Sequence, residues 1–229
     1  MTNGTLRSIS VRCVLFDLDG TLYDSRDYNE YFDSEMTNIV SDFLGVQRNE
    51  ASRILQLRRK EKGTLTGAME SIGIDRQEFH RLVGERVDPS LYLSSDEETR
   101  RMIRRLRDRD IKIGLVTNSG RRLVSKILEA LKLEPQLFDV IVTGTDVKPK
   151  PSHQPFLLAL EKIGCDKAET VYVGDREEAE IRPAHEVGLK TVLISRNAEQ
   201  KRFTKGADVV IDEITELEKL LVEENRREE

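Results

Sequence analysis

The sequence predicts an α/β fold: a parallel sheet with helices on both faces, plus a helical block inserted after the first strand. Three observations predict it. From Ile111 onward, short Val/Ile-rich runs alternate with amphipathic stretches, the pattern of strands buried on both faces by the helices that connect them. Between Ser25 and Leu93 only helical periodicity occurs. The first apolar run, Val11 to Phe16, ends in Asp17-Leu18-Asp19-Gly20-Thr21, which places two carboxylates one residue apart.

That first run reads as a buried strand. Side chains alternate along an extended chain, so Asp17 and Asp19 fall on the same side, and Gly20 lets the backbone turn sharply. Two acids there repel unless a positive group lies between them. Magnesium is the economical candidate, because it takes oxygen ligands and commonly shares a phosphate with one or two carboxylates. A strand running into an ordinary Asp-Gly turn is the competing reading, and this stretch alone does not decide between them.

Helical patterns follow over Tyr28–Leu44, Arg48–Lys60, Leu65–Ile72 and Gln77–Val87, separated by Gly45, Gly63-Thr64 and Gly73-Ile74-Asp75 and closed by Asp88-Pro89. A further helix runs from Asp96 to Asp110, with Ser94 or Ser95 as its cap and acids in its first turn, which suits the helix dipole. Strands are then expected at Ile111–Val116, Val140–Val142, Val171–Val173, Thr191–Ile194 and Val209–Ile211. Helices are expected at Arg121–Leu131, Gln154–Ile163, from near Pro183, and at Thr215–Glu224.

A chain of 229 residues accommodates one large domain, or a core with a smaller insert. The expected division is a core of 1–24 and 94–229 with a helical cap at 25–93. Charged residues make up 34% of the chain, both signs are interspersed and the net charge is -5, so no stripe for a nucleic-acid polymer stands out. No apolar run approaches a membrane span, and Met1 to Ser10 lack the apolar centre of a signal peptide, so a cytoplasmic protein that does not engage membranes is expected. Cys13 and Cys165 belong to no Cys-x-x-Cys pair and are expected to be reduced and structural. His80, His153 and His185 sit beside no nucleophile motif and read as structural or surface residues.

In parallel sheets, ligands collect beyond the carboxyl ends of the strands. Residues following successive strands are Asp17-Leu18-Asp19, then Thr117-Asn118-Ser119-Gly120 before a helix, then Lys148-Pro149-Lys150-Pro151, then Gly174-Asp175 leading to Glu180. Each could be a turn or a solvated charge taken alone. Together they supply carboxylates, an anion site at a helix start, an ammonium group and another carboxylate.

This ordered set, Asp17-x-Asp19-Gly20-Thr21, Thr117-Asn118, Lys148-Pro149-x-Pro151 and Gly174-Asp175, resembles the four motifs of the haloacid dehalogenase superfamily, specifically its phosphatase branch. Over about Val11 to Ile194 the resemblance implies a Rossmann-like core, and it implies that the helical block is a cap. Within the family the chain looks most like the phosphoglycolate phosphatase and pyrimidine 5′-nucleotidase groups. The resemblance implies a Mg²⁺-dependent phosphatase acting on a small phosphomonoester such as a sugar phosphate, phosphoglycolate or nucleotide. Asp17 would be the nucleophile and form an aspartyl-phosphate. Asp19 would be general acid and base, and the active-site lysine would be Lys148, which the register of the motif favours over Lys150.

Further roles are implied. Thr117 and the N–H of Asn118 would hold phosphate, and the Asp17 carboxylate, the Asp19 carbonyl and the Asp175 side chain would hold Mg²⁺. Tyr23 and Asp24, just after the first motif, would line the substrate entry, and Arg58, Arg59 and Lys60 are weaker candidates for a second anionic group. Glu180 stands where the family usually has an aspartate, and Arg176 where a small residue is usual. A carboxylate at Asp19 favours phosphoryl transfer over dehalogenation. A phosphomutase, or a non-catalytic regulatory protein on the same scaffold, is the alternative; a monomer or homodimer is expected.

Overall fold

The computed structural model describes residues 11–196 and 206–225; Met1 to Ser10 and the last four residues, part of the charged end, lie outside the described residues. The strands are β1 (Cys13–Phe16), β2 (Lys112–Val116), β3 (Val140–Val142), β4 (Thr170–Gly174), β5 (Lys190–Ile194) and β6 (Val209–Ile211). They form one six-stranded sheet in the order β3-β2-β1-β4-β5-β6, with every pair parallel. The first strand begins at Cys13, two residues later than the apolar run suggests.

β1 lies in the centre. The chain leaves it toward β2 and β3, then crosses to β4, β5 and β6 on the other side, so the strand order reverses at β1. The crevice beyond the carboxyl end of such a reversal is where α/β sheets bind ligands. Asp17, Thr117 and Asp175 leave the sheet there, after three adjacent strands.

Both faces of the sheet are covered. One face presents Cys13, Leu15, Val116, Tyr172 and Leu193 to helices α7 (Gln154–Ile163) and α8 (Arg182–Val187), through Phe156, Ala159, Ile163 and Ala184. The opposite face, with Val14, Phe16, Ile113 and Leu115 all fully buried, faces α5 (Glu97–Arg107), whose Met102, Ile103 and Leu106 are fully buried, and α5 in turn meets α9 (Glu216–Asn225). Each such aliphatic side chain contributes about 1.5–3 kcal/mol on burial. Gly114 on β2 permits the close approach of β1 and β3, because a Cβ there would overlap Leu15 and crowd Val140.

The helical segment after β1 consists of α1 (Arg26–Leu44), α2 (Arg48–Lys62), α3 (Leu65–Ser71) and α4 (Arg76–Arg86). Ser25, Thr64 and Asp75 cap three of these helices through side-chain oxygens, and Gly45 and Gly63 close α1 and α2 in the left-handed conformation. The chain divides into two compact units: Met1–Asp24, Ser95–Asn118 and Lys132–Glu229 in one, Ser25–Ser94 with Ser119–Leu131 in the other. The second unit therefore includes α6 (Arg121–Ala130), which packs on α4: Arg122 lies where a Cβ on Gly84 would point, and the Lys126 ammonium donates to the Val87 carbonyl at 2.8 Å.

Three local expectations are corrected. Asp96, not Ser94 or Ser95, caps α5, because its carboxylate accepts from the Glu98 N–H and the Thr99 hydroxyl. The helix expected near Pro183 is preceded by a π-helical turn over Glu177–Ile181. Cys13 and Cys165 are joined as a disulfide, with Cα atoms 6.5 Å apart. A separation of 152 residues carries no spacing signal. Adjacency of β1 and β4 explains the pairing: Cys13 lies opposite Thr170, so the segment entering β4 passes beside it.

Candidate active site

Asp17 follows β1 directly, its N–H donating to the Val173 carbonyl at 2.9 Å, and only 3% of the residue is exposed. Its Oδ1 accepts a hydrogen bond from the Lys150 ammonium at 2.6 Å. The same ammonium lies 3.0 Å from the Val116 carbonyl, 2.8 Å from the Tyr172 hydroxyl and 3.1 Å from Glu180 Oε1. A fully buried ammonium requires such partners, since an unpaired buried charge is costly.

The lysine at Asp17 is thus Lys150, which corrects the register that favours Lys148. Lys148 is exposed, and its backbone N–H donates to Gln154 Oε1 at 3.2 Å. Both lysines precede a proline, so spacing alone could not separate them. Asn118 fixes the outcome by gripping the main chain of Lys150 from both sides: its Oδ1 accepts from the Lys150 N–H at 2.7 Å and its Nδ2 donates to the Lys150 carbonyl at 2.9 Å.

Asp19 is held at both carboxylate oxygens. The Tyr23 hydroxyl donates to Oδ1, and the Thr117 hydroxyl donates to Oδ2 at 3.3 Å. Asp24 is half exposed and lies 3.7 Å from Arg196, whose guanidinium also donates to the Gly20 carbonyl at 2.7 Å.

Asp175, Glu180 and Asp17 form an acidic cluster in which one carboxylate oxygen from each lies within 4.8 Å of the other two. Glu180 is 3% exposed, and its second oxygen accepts from the Asp175 N–H at 3.3 Å. Asp175 Oδ1 is buried with no hydrogen-bond partner among the described residues. Burial, and then Glu180, push the Asp175 carboxyl up to about 7. Burial and Glu180 likewise raise Asp17 well above the carboxylate range, and the attraction of Lys150 does not offset them. Burial pulls the Lys150 ammonium down, but Asp17 and Glu180 outweigh it and leave it raised.

Three carboxylates facing one ammonium leave an excess of negative charge, and Asp175 offers a buried oxygen without a donor. Those are the properties of a divalent-cation site with hard oxygen ligands, so the donor set fits magnesium. Gly20 leaves room for the Asp175 carboxylate: its φ is +84°, and a Cβ there would overlap that group.

Comparison with known proteins identifies the family of the chain. The model of the haloacid dehalogenase-like hydrolase family matches residues 14–194. The chain belongs to that family. It is 27% identical over 223 residues to a glyceraldehyde 3-phosphate phosphatase of Methanocaldococcus jannaschii, covering 90% of this chain and 95% of the relative. It is 30% identical over 206 residues to a phosphoglycolate phosphatase of Shigella dysenteriae, covering 80% of each. Among solved structures, a HAD phosphatase from Thermococcus onnurineus superposes with a TM-score of 0.72 at 28% identity, over 92% of this chain and 98% of that one. As a member of this family the chain is a hydrolase. Among the described residues, no helix is long and apolar enough to cross a membrane.

Lys150 is the less favoured of the two lysines in the sequence reading, and three features of this cluster are not anticipated there: the contact of Glu180 with Lys150, Tyr172 and Arg196. A signal for Tyr172 existed. It lies opposite Leu15 in register, and Leu15 shares its side of β1 with Asp17, so strand alternation directs the phenol toward the nucleophile's neighbourhood. Glu180 is singled out by its place in the fourth motif, but its turn toward Lys150 is not, because it lies on a π-helical turn ahead of the helix expected from Pro183.

Proposed function

We propose that the chain is a Mg²⁺-dependent phosphatase that hydrolyses small phosphomonoesters through an aspartyl-phosphate on Asp17, with the helices of the second unit acting as its cap. The observation that carries the reading is the buried Asp17 carboxylate, 2.6 Å from Lys150 and within 4.8 Å of Asp175 and Glu180. The names of the relatives, phosphatases of glyceraldehyde 3-phosphate and phosphoglycolate, support a small phosphorylated substrate. The cytoplasm is the compartment that suits such a substrate.

Asp17 attacks phosphorus, the P–O bond to the leaving group breaks, and the resulting acyl phosphate is hydrolysed by water. Asp19 gives a proton to the leaving oxygen and later takes one from the water. Lys150 keeps Asp17 oriented and pulls its carboxyl toward the ionised form, against burial and Glu180, and its fixed charge faces the incoming phosphoryl group. Glu180 and the Tyr172 hydroxyl hold Lys150 in place, and Asn118 fixes its main chain. Thr117 and the Asn118 N–H are the donors available to phosphate. Asp17, Asp175 and the Asp19 carbonyl would hold the cation, which neutralises phosphoryl charge when bound. Lys148 has no part in this scheme.

The test is phosphate release from an aryl phosphate and a panel of small phosphomonoesters, with Mg²⁺ and with chelator, for wild type and Asp17→Asn. Metal-dependent release that disappears in the variant supports the proposal. Turnover only in the presence of a sugar bisphosphate, without net phosphate, would replace it with a phosphomutase, and no reaction of folded wild type would replace it with a binding protein.

A further inference from the structure

We infer that Tyr23 is a positioning residue for Asp19, holding the carboxylate by one oxygen so that the other is presented to the leaving group. This deepens the proposed phosphatase reading and rests on it. The sequence reading puts Tyr23 at the substrate entry, and the turn after β1 brings its phenol to Asp19.

The turn is closed by its own backbone. The Leu22 N–H donates to the Leu18 carbonyl at 3.0 Å, the Gly20 N–H donates to the Tyr23 carbonyl at 3.0 Å, and Asp19 and Tyr23 form an isolated parallel bridge. Gly20 at φ +84° makes this path accessible. The outcome is a hydroxyl hydrogen bond from Tyr23, only 9% exposed, to Asp19 Oδ1. Two rotatable bonds and a rigid ring let Tyr23 hold that contact at small entropic cost.

Asp19 Oδ1 therefore acts as an acceptor. With Oδ1 taken up by the phenol, Oδ2 is the oxygen turned toward the phosphate donors and left to exchange a proton with the leaving group and with water. In the first step Oδ2–H passes its proton to the ester oxygen as the P–O bond breaks and the bonding pair goes to that oxygen. In the second step a water proton returns to Oδ2 as the water attacks the acyl phosphate. Tyr23 keeps its own proton throughout. Oδ2 is also the oxygen that faces the Thr117 hydroxyl, 3.3 Å away, on the side of the phosphate donors. Without the phenol, the Asp19 carboxylate gains freedom to rotate away from the leaving group.

The experiment compares wild type and Tyr23→Phe in Mg²⁺ buffer on two esters of the same phosphoryl group, p-nitrophenyl phosphate and an alkyl phosphomonoester, reading kcat/KM for each. The nitrophenolate leaves as an anion and needs little protonation, whereas an alkoxide depends on the general acid. kcat/KM reports the step up to transfer onto Asp17, so the shared hydrolysis of the acyl phosphate drops out. The alkyl ester should lose about 10-fold or more, a share of the roughly 10²–10⁴-fold that a positioned acid supplies, and the nitrophenyl ester no more than about 2-fold. Asp19→Asn should give the same pattern more strongly. Equal losses on both esters, or no loss on either, would overturn the positioning role while leaving the phosphatase intact. A folded wild type inert toward both esters would instead remove the phosphatase reading, and the positioning role with it.

Discussion

Lys150 is the residue on which the site turns. It stands between Asp17 and Glu180, with both oxygens within 3.1 Å of its ammonium. Lys150→Met should destabilise the protein by about 3–5 kcal/mol, because removing one partner of a buried ionic cluster strands the others. Phosphate release should fall by roughly 10²-fold or more, as for loss of a fixed stabilising charge. Lys148→Ala should leave the melting temperature and the rate close to wild type; thermal denaturation and phosphate release check both variants. Asp175 supplies a second prediction. Its carboxyl rises on folding to about 7 from an ordinary value of about 3.9. Between roughly pH 4 and 7 the metal-free native chain therefore holds a proton that the unfolded chain has released, so this group makes stability fall as pH rises. Asp17, also raised, acts in the same direction. The melting temperature of metal-free protein should decline from pH 5 to pH 7.5, Asp175→Asn should flatten the decline, and Mg²⁺ should raise it more at pH 7.5 than at pH 5. A Mg²⁺ effect that is equal at both pH values would contradict the assignment of the acidic cluster as the cation site.

At the scale of elements, the turns after the strands do the placing. Gly20 combines a positive φ with a position against Asp175, so Gly20→Ala should cost about 1–2 kcal/mol in backbone strain and also displace a proposed cation ligand. A higher Mg²⁺ concentration for half-maximal phosphate release is the expected readout, and an unchanged Mg²⁺ requirement would mean that the Asp175 carboxylate had simply moved aside. What could be read beforehand and what could not divides along physical lines. Asp17, Asp19 and Asp175 follow directly on apolar strands, and the alternation of strand side chains makes such positions legible. Lys150 and Glu180 lie on a loop and on a π-helical turn, where no period of 2 or 3.6 tells which side chain turns inward. Cys13 and Cys165 meet because β1 and β4 are neighbours, a fact of topology that local spacing does not carry.

For the whole molecule, the buried strands and the alternation after Ile111 made the parallel sheet predictable, because covering both faces of a sheet demands near-continuous apolar strands. The strand order reverses at β1 and gathers Asp17, Thr117 and Asp175 from separate segments of the chain. Grouping of Ser119–Leu131 with the helical unit was not legible, since an amphipathic helix such as α6 shows one apolar face without showing what it meets. The central claim, that phosphate passes through a covalent bond to Asp17, is tested most directly by acid-quenching the enzyme during turnover of a radiolabelled phosphomonoester and mapping the labelled peptide. The account predicts base-labile label on the peptide that contains Asp17 and none in Asp17→Asn. Phosphate release by wild type without protein-bound label, or with label on another residue, would contradict it.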